Sequence, residues 1–118
     1  MAEDLKIETQ SEGGATVVSL SGSLDVATSP KLKAELTRAS DSGQRNIVVD
    51  LTQVEFLDST GLGALMGAHR RAVENDGKFA IVVNDGPIER LLNITGLSRV
   101  FAVYATAKEA LAGIGAVE

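Results

Sequence analysis

The run from Ile47 to Leu65, IVVDLTQVEFLDSTGLGAL, decides the fold. With Asn46 ahead of it, its opening reads NIVVDL, apolar on both alternating faces. That pattern predicts a central strand in a sheet covered on both sides or nearly so. Further on the period changes. From Thr60 onward the spacing is helical, with Leu62, Leu65, Met66, His69 and Val73 on one stripe and Gly77 as the stop. Between strand and helix stand Asp58, Ser59, Thr60, Gly61, Leu62 and Gly63. A plain junction needs one capping residue. Two glycines in the first turns of a helix cost about 1 kcal/mol each against alanine, which calls for a reason. A bare, flat helix start suits something that approaches closely from outside.

The neighbours extend the pattern in both directions. LKIETQ alternates apolar Leu5 and Ile7 with polar Lys6, Glu8 and Gln10, so it reads as a half-exposed strand. ATVVSLSG is a second β-rich run, and SEGGA between them has hairpin-loop chemistry. Next, Ser29 reads as a helix cap before Pro30, with Leu32, Leu36 and Ala39 on one face and Gly43 at the end. Beyond the central run, FAIVV is another buried strand. NDGPIERLLNITGL is a short helix with Pro87 in its first turn, Ile88, Leu91 and Leu92 facing in, and Gly96 as the stop. RVFAVY is the last strand, and TAKEAL opens a helix with a capping box of Thr106 and Glu109. The order is β-β-α-β-α-β-α-β-α. It implies an α/β fold with a mixed or largely parallel sheet of about five strands and four helices. A chain of 118 residues suits one domain over 1–118, with 1–4 read as a flexible tail.

Composition removes several function classes. The chain has no cysteine and one histidine, so thiolate sites, disulfides and multi-histidine metal sites are excluded, and no metal or cofactor is expected. A net charge of −5 lacks the cationic surface that a phosphate-backbone binder needs, and 3% aromatics offers little for base stacking. The apolar runs are far shorter than the roughly 20 residues of a membrane span. MAEDLKIETQ carries acids where a signal peptide carries bases. The expectation is a soluble cytoplasmic protein with no nucleic-acid or membrane partner.

Chemistry at the junction can be tested against known arrangements. A serine nucleophile elbow, G-x-S-x-G, lacks its first glycine here, because Leu57 stands in that place. The one candidate base, His69, lies roughly 15 Å along the helix from Ser59 and cannot reach it. GLGALMG places glycines at 61, 63 and 67, whereas the dinucleotide fingerprint wants the third at position 66, which is Met66. No G-K-[ST] occurs anywhere. No catalytic residue is therefore assigned, and no enzyme is expected. His69 on the apolar stripe reads as a packed histidine at a core edge. Arg70 and Arg71 read as the solvated face of the same helix, and Met66 as core. Asp58 or Ser59 as a simple cap accounts for the acid but not for the glycines. A switch accounts for more. A helix amino terminus tolerates a phosphate, and a hydroxyl there is a reasonable acceptor for a group that brings roughly −1.5 to −2 charge.

These residues also carry a resemblance. IVVDLTQVEFLDSTGLGAL resembles the STAS family, shared by sulphate transporters and anti-sigma factor antagonists. Asp50-Leu51 and then Asp58-Ser59-Thr60-Gly61-Leu62 match its hallmark strand and turn. Gly22, Leu24 and Asp25 in LSGSLDVAT match an earlier loop of that family, and LLNITGLSRVFAVYATAKEAL matches its closing helix, strand and helix. The resemblance implies a standalone anti-sigma factor antagonist. Such a protein binds an anti-sigma factor that is also a serine kinase, frees a sigma factor, and is inactivated by phosphorylation; a serine phosphatase resets it. By position the acceptor is Ser59, and the partner surface is Asp25, Asp58, Ser59, Thr60, Gly61, Leu62 and Gly63. The alternative is a non-switching STAS subunit that braces a transporter or another multiprotein assembly.

Overall fold

In the computed structural model, which describes residues 5–115, the central element is a strand β3 at Ile47–Leu57. Ile47, Val48, Val49 and Leu51 are all buried, as the two-faced apolar run requires. β3 runs parallel to β2, Ala15–Leu24, on one side and to β4, Phe79–Val82, on the other. β1, Leu5–Glu12, pairs antiparallel with β2, and β5, Ala102–Tyr104, pairs parallel with β4. The sheet order β1-β2-β3-β4-β5 follows the chain. Gly13 and Gly14 make the hairpin loop with φ of 56° and 82°, the paired left-handed conformation of a tight two-residue turn. The expected tail at 1–4 lies outside the described residues.

Four helices connect or close the strands: α1 at Ser29–Asp41, α2 at Ser59–Glu74, α3 at Pro87–Thr95 and α4 at Ala107–Gly113. Strands β2 to β5 step across the sheet in one direction. Right-handed crossovers then lay α1, α2 and α3 on a single face. Leu32, Leu36, Ala64, Leu65, Ala68 and Leu92 from those helices share one core with Val18, Leu20, Val49, Leu51 and Ile81. On the opposite face α4 sets Ala110 and Ile114 over Val17, Val48, Ala80 and Val82. The element order is the one read from the sequence, with one added 3-10 turn at Leu97–Arg99.

Several boundaries differ, each for a physical reason. β3 continues to Leu57 rather than ending near Leu51. Between Ser19↔Asp50 and Ser21↔Gln53, and again between Gly22↔Val54 and Ser23↔Phe56, β3 takes one residue more than β2. These two bulges space the inward residues Leu51, Val54 and Leu57 by three instead of two. The last strand is shorter than RVFAVY, because Arg99 is in the 3-10 turn and Phe101 drops into the core. Thr28, not Ser29, occupies the cap position of α1; Ser29 is its first residue and is buried. Pro30 sits in the first turn as expected. Thr106 Oγ1 accepts the Glu109 amide at 3.1 Å, the hydroxyl half of the capping box.

The stripe on α2 also differs. Its buried residues are Gly61, Ala64, Leu65, Ala68 and Ala72. Leu62 and Met66 are partly buried at the margin, and Val73 is 57% exposed. Small residues line the seam, so α2 lies close to the sheet, and the large apolar residues flank it.

Candidate functional site

The end of β3 and the start of α2 meet at Asp58. Its backbone is extended, with φ −109° and ψ −173°, and its side chain caps the helix. One carboxylate oxygen, Oδ1, accepts the Thr60 amide at 3.0 Å, the Gly61 amide at 3.1 Å and the Thr60 hydroxyl at 2.5 Å. The Thr60 hydroxyl first, and then the Gly61 amide, hold the Asp58 carboxyl below its ordinary range. The cap therefore stays ionised, and its negative charge lies at the positive end of the helix dipole.

Ser59 and Thr60 are both exposed, yet they differ in what holds them. Thr60 Oγ1 is spent on Asp58. No side-chain hydrogen bond engages Ser59 Oγ among the described residues, so the first hydroxyl of the helix faces solvent unrestrained.

The loop after β2 sits beside this junction. Leu24 pairs with Leu57 in parallel register, and the Asp58 amide donates to the Leu24 carbonyl at 3.2 Å. Asp25 follows at once, so the structure brings it next to Asp58 as expected. Its own carboxylate serves its own loop. Oδ1 accepts the Ala27 and Thr28 amides at 3.0 and 3.1 Å. Thr28 Oγ1 in turn accepts the Asp25 amide and donates to the Ser23 carbonyl. Asp25 therefore shapes the loop that borders Asp58.

The two glycines separate. Gly61 is buried, and a Cβ there would lie 2.6 Å from Leu57 Cδ1, 2.8 Å from Leu24 Cγ and 3.0 Å from the Leu24 carbonyl oxygen. The expectation that it keeps an outer surface bare is corrected: it lets the helix start press against the ends of β2 and β3. Leu62 likewise packs against the core rather than standing free. Gly63 is exposed, and nothing lies within 4 Å of an added Cβ, so this glycine does leave the outer surface bare.

Two residues absent from the expected set belong beside it. Val26, next to Asp25, is 70% exposed, and Phe56, two residues before Asp58, is 53% exposed. Phe56 and Leu57 point to opposite faces of β3, and only Leu57 is buried. His69 packs at a core edge, as read, with its ring edge-on to Phe79 at 6.0 Å and to Phe101 at 5.7 Å. Arg70 is exposed, but Arg71 is half-buried with Nε shielded, which corrects its reading as a solvated residue. Among the described residues no group of His, Asp and Glu could hold a metal ion, and no helix is long and apolar enough to cross a membrane.

The chain is similar to known proteins along most of its length. The STAS domain family model matches residues 6–110. An anti-sigma F factor antagonist of Paenibacillus polymyxa is 32% identical over 109 residues, covering 92% of this chain and 93% of that one. An anti-sigma-B factor antagonist of Staphylococcus aureus is 39% identical over 94 residues, covering 80% and 87%. The crystal structure of an anti-sigma factor antagonist from Mycobacterium paratuberculosis superposes with a TM-score of 0.86 at 30% identity, covering 93% of each chain. All three relatives are named as anti-sigma factor antagonists. With a family model spanning nearly its whole length and relatives of this similarity, the chain belongs to the STAS domain family.

Proposed function

We propose that this protein is an anti-sigma factor antagonist whose binding is switched by phosphorylation of Ser59. Unmodified, it binds an anti-sigma factor that is also a serine kinase, and a sigma factor is released. Phosphorylation ends the complex, and a serine phosphatase restores it; all of this takes place in the cytoplasm. The observation that carries the reading is the exposed Ser59 hydroxyl at the first position of α2, unbonded among the described residues, beside a neighbour whose hydroxyl is already engaged. Ser59 is exposed, so an added phosphate can stand in water at a helix end whose dipole favours negative charge. Exposed Val26 and Phe56 lie close in sequence to Asp25 and Asp58, and with the bare backbone at Gly63 they are the surface assigned to the anti-sigma factor. A phosphoryl group on that surface adds roughly −1.5 to −2 charge where the partner must lie close.

The test is a pull-down with the purified chain from extract of the cells that make it, with and without ATP, followed by mass spectrometry. Without ATP the chain retains the anti-sigma factor. With ATP, phosphate appears on Ser59 and the partner is released. Retention that ATP does not alter, together with an unmodified Ser59, defeats the reading.

A further inference from the structure

Ser59 and Thr60 place two hydroxyls one residue apart, both exposed, at one helix start. A kinase that reaches one is within reach of the other. We propose that Asp58 selects the acceptor, withholding Thr60 by holding its hydroxyl and leaving Ser59 as the one nucleophile. This rests on the reading of Ser59 as the phosphorylated residue.

Phosphoryl transfer sets a geometric demand. The attacking oxygen aims a lone pair at the γ-phosphorus of a nucleoside triphosphate, and its proton leaves for a base on the kinase. The Oγ–P bond forms as the bond from the γ-phosphorus to the β–γ bridging oxygen breaks, and the nucleoside diphosphate departs. Thr60 Oγ1 has one proton, and it is given to Asp58 Oδ1 at 2.5 Å. That bond fixes the rotamer of Thr60 against the helix start, so turning Oγ1 to meet the kinase's nucleotide and base means giving it up, and a hydrogen bond to an ionised acceptor is about twice as strong as a neutral one. Asp58 cannot follow the hydroxyl outward, because the same oxygen is tied to the Thr60 and Gly61 amides. A phosphate on Thr60 would also be seated against the Asp58 carboxylate. Ser59 escapes the first obstacle, since among the described residues its side chain makes no such bond, and it is exposed.

The test uses wild type, Ser59→Ala, Asp58→Gly and Asp58→Asn in full-length chain. Each is incubated with extract of the source cells and γ-labelled ATP, with the site assigned by mass spectrometry. Glycine is nearly as good a helix cap as aspartate but leaves Thr60 untethered, and asparagine keeps an acceptor oxygen. Wild type should carry label on Ser59 and Ser59→Ala none, and in whatever label Asp58→Asn accepts the share on Thr60 should fall between wild type and the glycine variant, because a neutral oxygen holds the hydroxyl less tightly. In Asp58→Gly the share of label on Thr60 should rise about tenfold or more, as the loss of a hydrogen bond to a charged group implies. Label on Thr60 in Ser59→Ala overturns the proposal, whatever the folding of the other variants. So does an Asp58→Gly protein labelled on Ser59 alone or not at all, or an Asp58→Asn protein that spreads its label as the glycine variant does. A wild-type chain with no label on Ser59 overturns the switch itself and the selection with it, so the two failures are told apart.

Discussion

Gly61→Ala and Gly63→Ala, two residues apart on one helix, should move stability in opposite directions. Helix propensity favours alanine at both, by up to about 1 kcal/mol. At Gly63 nothing opposes the gain, because the space around an added Cβ is open. At Gly61 the methyl would stand 2.6 Å from Leu57 Cδ1, 2.8 Å from Leu24 Cγ and 3.0 Å from the Leu24 carbonyl oxygen. The Leu57 methyl can swing, but Leu24 is fully buried and its carbonyl accepts the Asp58 amide. Overpacking of this kind costs typically 1–3 kcal/mol, which exceeds the propensity gain at a wall that includes backbone. The expected net is a loss of about 1–2 kcal/mol for Gly61→Ala, a fall in Tm of roughly 5 °C or more for a domain of this size. Gly63→Ala should melt a few degrees above wild type. Thermal unfolding followed by circular dichroism reads both, and urea midpoints check them. A Gly61→Ala protein that melts at or above wild type refutes the assignment of that glycine to packing.

Three further outcomes follow from the same junction and its surroundings. Asp58 should titrate by NMR below the ordinary carboxylate range, and Thr60→Val should move it upward, since the Thr60 hydroxyl is the largest cause of the shift. The sign follows by linkage: a carboxyl held low when folded contributes stability above its ordinary range, lost as pH falls through the lower folded value, so acid unfolding should be less steep in Thr60→Val. Phe56→Ala, at a half-exposed side chain, should leave the melting temperature within a degree or two yet weaken anti-sigma factor binding about tenfold, the usual scale for an aromatic anchor; unchanged affinity by calorimetry removes Phe56 from the docking surface. His69→Phe should match or exceed wild-type stability, because it keeps the edge-on packing against Phe79 and Phe101 and removes a buried Nδ1 that has no partner among the described residues; a drop in Tm contradicts that packing role.

Most of the fold was legible because its signals are local. Gly13-Gly14, the two-faced NIVVDL run, Pro30, Pro87 and Gly96 each specify a turn, a strand or a helix end without reference to distant residues. What escaped depends on register. The bulges that carry β3 on to Leu57 change an inward spacing of two into three, and no alternation remains to be read across Leu51, Val54 and Leu57. On α2 the stripe of large residues drew the eye away from Gly61, Ala64, Ala68 and Ala72, whose small size is what a close helix–sheet seam requires. At the site, Asp58, Ser59 and Thr60 were legible from residue type at a strand–helix junction, and Asp25 through family resemblance. Which hydroxyl is tethered was not, because Ser59 and Thr60 are chemically alike in sequence and differ only in where Oγ points. Nor was the inward turn of Gly61, since glycine gives no clue to the side on which its missing Cβ would fall.

In the proposed switch, one phosphate on Ser59 governs partner binding without altering the fold. Isothermal titration of the source cell's anti-sigma factor with unmodified and with Ser59-phosphorylated protein tests it most directly. Like charge at a docked surface costs several kcal/mol, so the phosphorylated chain should bind at least about a hundredfold more weakly while its melting temperature stays close to that of the unmodified chain. Equal affinity of the two forms, or loss of binding accompanied by loss of the folded state, would contradict the account.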